Sequence, residues 1–324
     1  MHYLLDLLEP LQIWLFQALV LPFMYEAGLM TWADSAFDAT GIFLLALLQI
    51  AVVYALLRPL ELWYPAEAGT RDGHEVRTDV YYTLFYRTGA LPLLFFVTLG
   101  PAIDAIQINL RARDIIPPNL EDLLPGLNNS PLLAFACYVI AIDFFEYWRH
   151  RFQHQLNWWW ALHAVHHSQQ QLSLWTDERN HLVDGLIQSV WMATVAQIIG
   201  VPGTHFIGIV FLVQLVESLS HTNVRLHFGR WFGLVLVSPC YHRLHHGIGI
   251  GHEGHKRGCN FATLFPLWDR LFGTANFSES YPRTGIRDQL DGVNYGRGLL
   301  EQQLLGISRL LAIWHARKQA TGNN

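Results

Sequence analysis

Apolar residues along this chain fall in long unbroken runs, not in alternation, and the runs set the expected elements. Residues 40–57, TGIFLLALLQIAVVYALL, carry no charge, and a helix of about that length reaches across a hydrocarbon core. A second span is expected over about 90–106. A third is expected over 132–147, acquiring Asp143 and Glu146 near its end. The apolar region at 186–216 is long enough for two helices. It is interrupted at 200–205 by GVPGTH, whose proline and two glycines predict a turn. We read it as a helical hairpin, at about 186–218, that dips into a bilayer. An earlier run over 11–30 is broken by Pro22 and Glu26 and reads as interfacial. Strand-like alternation is nearly absent. The expected fold class is all-α: multi-span membrane helices under a helical cytoplasmic cap.

Composition agrees with the run lengths. Of 324 residues, 52% are hydrophobic and 15% charged, which suits a membrane protein better than an ordinary soluble domain. A formal net charge of −5 gives no reason to expect a nucleic-acid partner. The three cysteines form no C-x-x-C and predict neither a disulfide framework nor a thiolate zinc site. Asp6 and Glu9 stand where a cleavable signal would be basic, so none is expected. Lysine and arginine set the orientation. None precedes Arg58, while Arg58, Arg71, Arg77 and Arg87 follow the first span, which puts that segment in the cytoplasm. The following spans return the chain to that side near Arg149. The expected organisation is membrane helices over 1–131, a catalytic domain over 132–275 including the hairpin, and a tail over 276–324. In the tail, LLEQQLLGISRLLAIWHARK has the spacing of an amphipathic helix lying on the membrane face.

The seventeen histidines carry the chemistry through their spacing. His150 and His154 are four apart and share one helix face with Tyr147 and Asp143. His163-x-x-His166-His167 and His242-x-x-His245-His246 each end in an adjacent pair. Adjacent helical side chains diverge by about 100°, so each pair can face two different ions. Eight imidazoles exceed what one zinc takes and suit two metals with open positions. Neutral nitrogen donors fit iron, zinc or copper. His181, in DERNHLVD, and His221, in ESLSHTN just after the hairpin, are the ninth and tenth candidates. His2, His74, His205 and His315 read as ordinary histidines. In GHEGH at 251–255 the histidines are three apart, not four, so the zinc-protease signature is missing and His252 and His255 read as loop residues. Trp158, Trp159 and Trp160 read first as an interfacial belt, with the wall of a lipid channel as the alternative.

The segments DFFEYWRHRFQHQ, WWWALHAVHHS, HTNVRLHFG, VSPCYHRLHHG and NFATLFPLWDRLFGT resemble the fatty acid hydroxylase and sterol desaturase superfamily over about residues 135–275. Members are integral membrane di-iron oxygenases. The chain departs from the family pattern at Asn260-Phe261-Ala262, where many members have Asn-Tyr-Gly, and at Leu182, where many have proline. The resemblance implies metal ligation by His150, His154, His163, His166, His167, His242, His245 and His246, with His181 and His221 at positions where the family also has histidines. It implies two iron ions, dioxygen as co-substrate, and attack on an unactivated C–H bond of a sterol, fatty acyl or ether lipid.

A redox metal fits that reaction, since zinc has no redox chemistry. Carboxylates should orient the imidazoles and offset the metals' charge; Asp143, Glu146, Asp177 and Asp184 are the candidates, with Tyr147 beside Asp143. Arg151 and Arg179 would hold such carboxylates or a lipid headgroup. The chain shows no nucleotide, flavin or haem motif, so a ferredoxin or reductase must supply electrons from outside. Two other functions compete: a zinc-dependent membrane hydrolase, and a metal transporter or sensor without catalysis. A transporter should carry ionisable groups at mid-membrane depth, whereas these boxes fall at predicted helix ends.

Overall fold

The computed structural model describes residues 2–68, 73–89, 91, 105–106, 108–115, 118–254 and 257–322. Among them the chain is helical, without strands, and carries one isolated antiparallel bridge between Gly247 and Thr284. The principal helices are α1 (His2–Leu15), α2 (Leu21–Glu26), α3 (Ala33–Trp63), α4 (Gly73–Arg87), α5 (Pro131–Gln155), α6 (Asn157–His167), α7 (Leu182–Ile198), α8 (Gly203–His221), α9 (Pro239–His245), α10 (Leu267–Phe272) and α11 (Leu299–Gly322). The span expected over about 90–106 lies outside the described residues, apart from 91, 105 and 106.

Among the described residues four helical stretches are long and apolar enough to cross a membrane: Leu7–Glu26, Met30–Trp63, Pro131–Gln155 and Gly203–His221. The first is helical through Pro22 and ends at Glu26, so of the two breaks expected in 11–30 only the one at Glu26 is present. Pro22 does not break it, because a π-helical turn over Phe16–Val20 precedes the proline and Pro22 falls at the start of α2, where its missing N–H is least harmful. This stretch is exposed on nearly all sides and leans on α3, with Phe16 edge-on to Phe37 at 5.3 Å. An apolar helix exposed all round belongs in lipid.

α3 runs well past the expected 40–57. Its C-terminal end continues through Arg58 and Glu61, an ion pair at 3.0 Å one turn apart. Glu61 also accepts the backbone N–H groups of Leu174 at 3.0 Å and Asn223 at 3.1 Å, which ties α3 to the histidine-bearing half. The expected hairpin is present as α7 and α8. Its turn needs Gly200, whose φ is +65° and where a Cβ would meet Pro118 O at 2.8 Å. α5, α7 and α8 share a core of Tyr138, Val139, Ile142, Val195, Ile209, Val213 and Val216, closed by Leu264.

α11 packs closely on α6, and this modifies the picture of a tail lying free on the membrane. Leu305 joins Trp160, Ala164, Ile286 and Tyr295 in a buried cluster. Gly306 sits over the His181 ring, where a Cβ would lie 2.4 Å from Cδ2. The opposite face, Leu300, Leu304, Ile307, Leu311 and Trp314, remains exposed.

Candidate metal centre

Four segments deliver nine buried histidines to one place. α5 brings His150 and His154 from successive turns of its last part, and α6 brings His163, His166 and His167. His221 ends α8, and α9 with the residue after it brings His242, His245 and His246. The short α9 starts at Pro239 with Ser238 as its cap, the hydroxyl accepting Tyr241 N–H at 3.2 Å. The nine imidazoles form two sets, each with ligand nitrogens within 4.8 Å of one another: His150, His154, His163, His167 and His245, and separately His166, His221, His242 and His246. Both adjacent pairs are split between the sets, as helical divergence predicts.

The outer nitrogens are tied down. Nδ1 of His150 bonds to Phe261 O at 2.8 Å, that of His166 to Arg179 O at 3.2 Å, that of His221 to Glu217 O at 2.8 Å, and that of His245 to Cys259 O at 2.8 Å. A carbonyl only accepts, so each Nδ1 carries the proton and each Nε2 presents a lone pair inward. The Nε2 atoms of His166 and His221 are then two lone pairs 3.2 Å apart. Further ring nitrogens approach at 3.0–3.1 Å in the pairs His242–His221, His246–His242 and His154–His167. Nε2 of His163 and His245 and Nδ1 of His154, His242 and His246 are buried without a hydrogen-bond partner. Facing lone pairs and orphaned buried nitrogens are the environment a cation relieves, and the nitrogen-only donor set fits a transition metal.

Protons do not compete well for this site. Burial pushes the imidazoles of His163, His166, His167, His242 and His246 below the ordinary histidine value of 6.5, and takes His245 to about 3.

The supporting residues are ordered differently from the sequence expectation. Asp184 is buried and accepts Nδ1–H of His163 at 3.2 Å, Nε1–H of Trp159 at 2.6 Å and the Gln153 amide at 2.9 Å. It is the carboxylate that orients an imidazole. Asp143 touches none. Seven residues before His150 it lies about 10 Å down the helix, and it accepts Leu264 N–H, Phe265 N–H and Trp268 Nε1–H at 2.9–3.0 Å. Tyr147 bonds Thr274 at 3.0 Å and accepts from Arg151 at 3.0 Å. Both therefore brace the 259–274 segment, whose carbonyls at Cys259 and Phe261 hold His245 and His150. Asp177 pairs with Arg87 at 2.5 Å and Glu146 with Arg149 at 2.8 Å. Asp269 was not singled out from the sequence. It is buried and accepts Phe261 N–H, Ala262 N–H and the hydroxyls of Thr274 and Tyr241; its signal is an acid isolated inside the apolar LFPLWDRLF.

The remaining candidates separate cleanly. His221 joins the four-membered set, whereas His181 is in neither. The His181 ring caps α7, Nδ1 accepting Val183 N–H at 3.1 Å and Nε2 donating to Gln303 O at 2.9 Å, so both nitrogens are engaged. The tryptophans are not a simple belt: Trp159 and Trp160 are buried, and Trp160 stacks on His252 at 3.6 Å. His255 lies outside the described residues, as does the His2 side chain.

Comparison with known proteins agrees with this arrangement. A fatty acid hydroxylase family model matches residues 135–274, which contain every histidine of the two sets. Human alkylglycerol monooxygenase is 30% identical over 149 residues, 45% of this chain and 31% of that protein. The ornithine lipid hydroxylase OlsE of Rhizobium tropici is 29% identical over 267 residues, 82% of this chain and 74% of that protein. A Delta(7)-sterol 5(6)-desaturase of Gibberella zeae is 26% identical over 202 residues. The chain spans less than a third of the length of the alkylglycerol monooxygenases it matches. No solved structure matches it. Residues 135–274 thus match a fatty acid hydroxylase domain, and the proteins the chain resembles are lipid hydroxylases and sterol desaturases.

Proposed function

We propose that this chain is a multi-pass membrane oxygenase that hydroxylates or desaturates a lipid at an unactivated C–H bond, using dioxygen and electrons from an external ferredoxin or reductase. One iron would be held by His150, His154, His163, His167 and His245, the other by His166, His221, His242 and His246. The observation that carries the reading is the division of nine buried imidazoles into two neighbouring sets. Five donors in one set exceed the four of a usual zinc site, which favours iron. Bound iron would supply the redox chemistry that such a C–H bond requires.

The chain's own groups orient and shield. Backbone carbonyls and Asp184 hold the rings, and the buried lining keeps bulk water from the reacting carbon. A zinc hydrolase would need a basic carboxylate free to activate water, and Asp184 is engaged by His163, Trp159 and Gln153. The histidines fall at helix ends, and the arginine pattern around the first expected span supports a cytoplasmic side for them.

Metal analysis of the purified protein, with dioxygen uptake and lipid profiling of cells with and without the gene, tests this. About two irons per chain and a lipid mass change of one oxygen or two hydrogens are expected. Bound zinc with a hydrolytic activity would replace the oxygenase with the hydrolase, and reversible metal binding without any lipid change would favour a transporter.

A further inference from the structure

Beside the metal centre lies a polar cavity of about 740 Å³ whose lining includes Glu67, Glu75, Gln170, Gln171, Arg283 and Arg297. Its volume is that of a small-molecule site. Three observations define what it would take. First, an interfacial aromatic pair lies next to it in sequence. α3 ends in Trp63 and Tyr64, 70% and 65% exposed, an aromatic pair of the kind that marks a membrane interface. Glu67 and Ala68 of the lining follow directly.

Second, the cavity shares a wall with the histidines. Ser168, in the lining, is the next residue after His167. Arg179 lines it too, and its carbonyl holds the His166 ring. Third, the charge is one-sided. Glu67 is paired with Arg243, and Glu75 with Arg179, which also binds Asp79 at 2.7 Å. Glu67 is therefore balanced, and Arg179 is shared between Glu75 and Asp79. The guanidinium groups of Arg283 and Arg297 form no ion pair among the described residues, Glu301 accepting only the Arg297 backbone N–H at 2.9 Å, and Gln170 and Gln171 belong to the same lining. Two unpaired guanidinium groups in a concave site suit a phosphate or carboxylate, which they bind in a bidentate manner.

We propose that this cavity binds the anionic headgroup of the lipid substrate, with Arg283 and Arg297 as the anion-binding residues. The inference rests on the lipid-oxygenase reading and adds the class of lipid: one with a phosphate or carboxylate at its polar end.

The test uses the purified full chain in neutral detergent, with binding measured by calorimetry. The probes are dihexanoyl phosphatidic acid, N-hexanoylglycine, dihexanoylglycerol and inorganic phosphate. At least one of the two anionic lipids should bind, dihexanoylglycerol should not, and inorganic phosphate should bind at least about tenfold more weakly than the anionic lipid, lacking its tail. Arg283→Gln and Arg297→Gln should each weaken the lipid about tenfold, and together more, because each removes a charge-assisted hydrogen bond. Metal content and melting temperature, recorded for each variant, should match the parent, since both arginines are exposed. The proposal is overturned if the double variant binds the anionic lipid as the parent does, or if dihexanoylglycerol binds equally well. Phosphate binding as tightly as the lipid would make this a site for free phosphate and overturn the headgroup assignment. Arginine-dependent lipid binding in a protein that holds no iron would leave the cavity standing and remove the oxygenase reading.

Discussion

Asp184 accepts the Nδ1 proton of His163 at 3.2 Å and is fully buried while doing so. It accepts hydrogen bonds from three side chains, those of His163, Gln153 and Trp159, so its carboxylate both fixes the ring and places a negative charge behind the five-membered histidine set. Asp184→Asn keeps the volume but loses the charge and turns an N–H toward groups that donate. Metal affinity should fall about 10–100-fold, measured by competition with a chelator. Unchanged affinity would mean the carboxylate only packs.

His166 and His245 lie one in each set. His166→Ala and His245→Ala should each lose bound metal and lipid oxidation while the protein stays in the membrane, because the apolar helices supply insertion and the rings supply chemistry. His315 is exposed, and His315→Ala should change neither. His181→Ala should keep its metal and lose about 1 kcal/mol of stability through the missing cap. Metal analysis and melting curves for the four variants separate these outcomes, and full iron in His245→Ala would contradict the ligand assignment.

Asp143→Ala strands three donors, the buried Leu264 N–H and the half-buried Phe265 N–H and Trp268 Nε1–H. Each such loss costs about 1–3 kcal/mol. The carbonyls of Phe261 and Cys259 would loosen with the segment, and both serve the five-membered set through His150 and His245. The expected result is a lower melting temperature and loss of metal from the five-membered set ahead of the other. Equal loss from both sets would show that the segment acts through general unfolding.

The metal-free protein should be acid-sensitive. The folded-state pKa values of His163, His166, His167, His242 and His246 lie below 6.5, and that of His245 is about 3. A depressed histidine binds fewer protons folded than unfolded, so its contribution is whole above about pH 6.5 and is lost as pH falls toward 3. Melting temperatures of protein stripped by chelator should therefore drop over that window, and bound metal should shift the drop to lower pH. A flat profile between pH 7 and 4 would show that the rings are not buried neutral.

Features governed by local geometry were legible in the sequence. The length of an apolar run sets whether a helix can span lipid, so 40–57, 132–147 and the hairpin were readable from position alone, as α3, α5, α7 and α8 show. Helical periodicity likewise separates His166 from His167 and His245 from His246 whatever surrounds them. The break expected at Pro22 is absent because the proline rule assumes a regular α-helix, and a π turn accommodates Pro22.

Everything set by contacts between distant segments waited for the tertiary structure. His181 and His221 look alike along the chain, yet His221 reaches His166 and His242 because α8 ends beside α6 and α9, while Gln303 of α11 takes the second nitrogen of His181. Asp143 shares the His150 face and still cannot orient its ring, being two turns away, whereas Asp184 reaches His163 from another helix. Spacing determines which side chains can point together along one helix. Only packing decides which helices meet, and the two metal sets are assembled from α5, α6, α8 and α9.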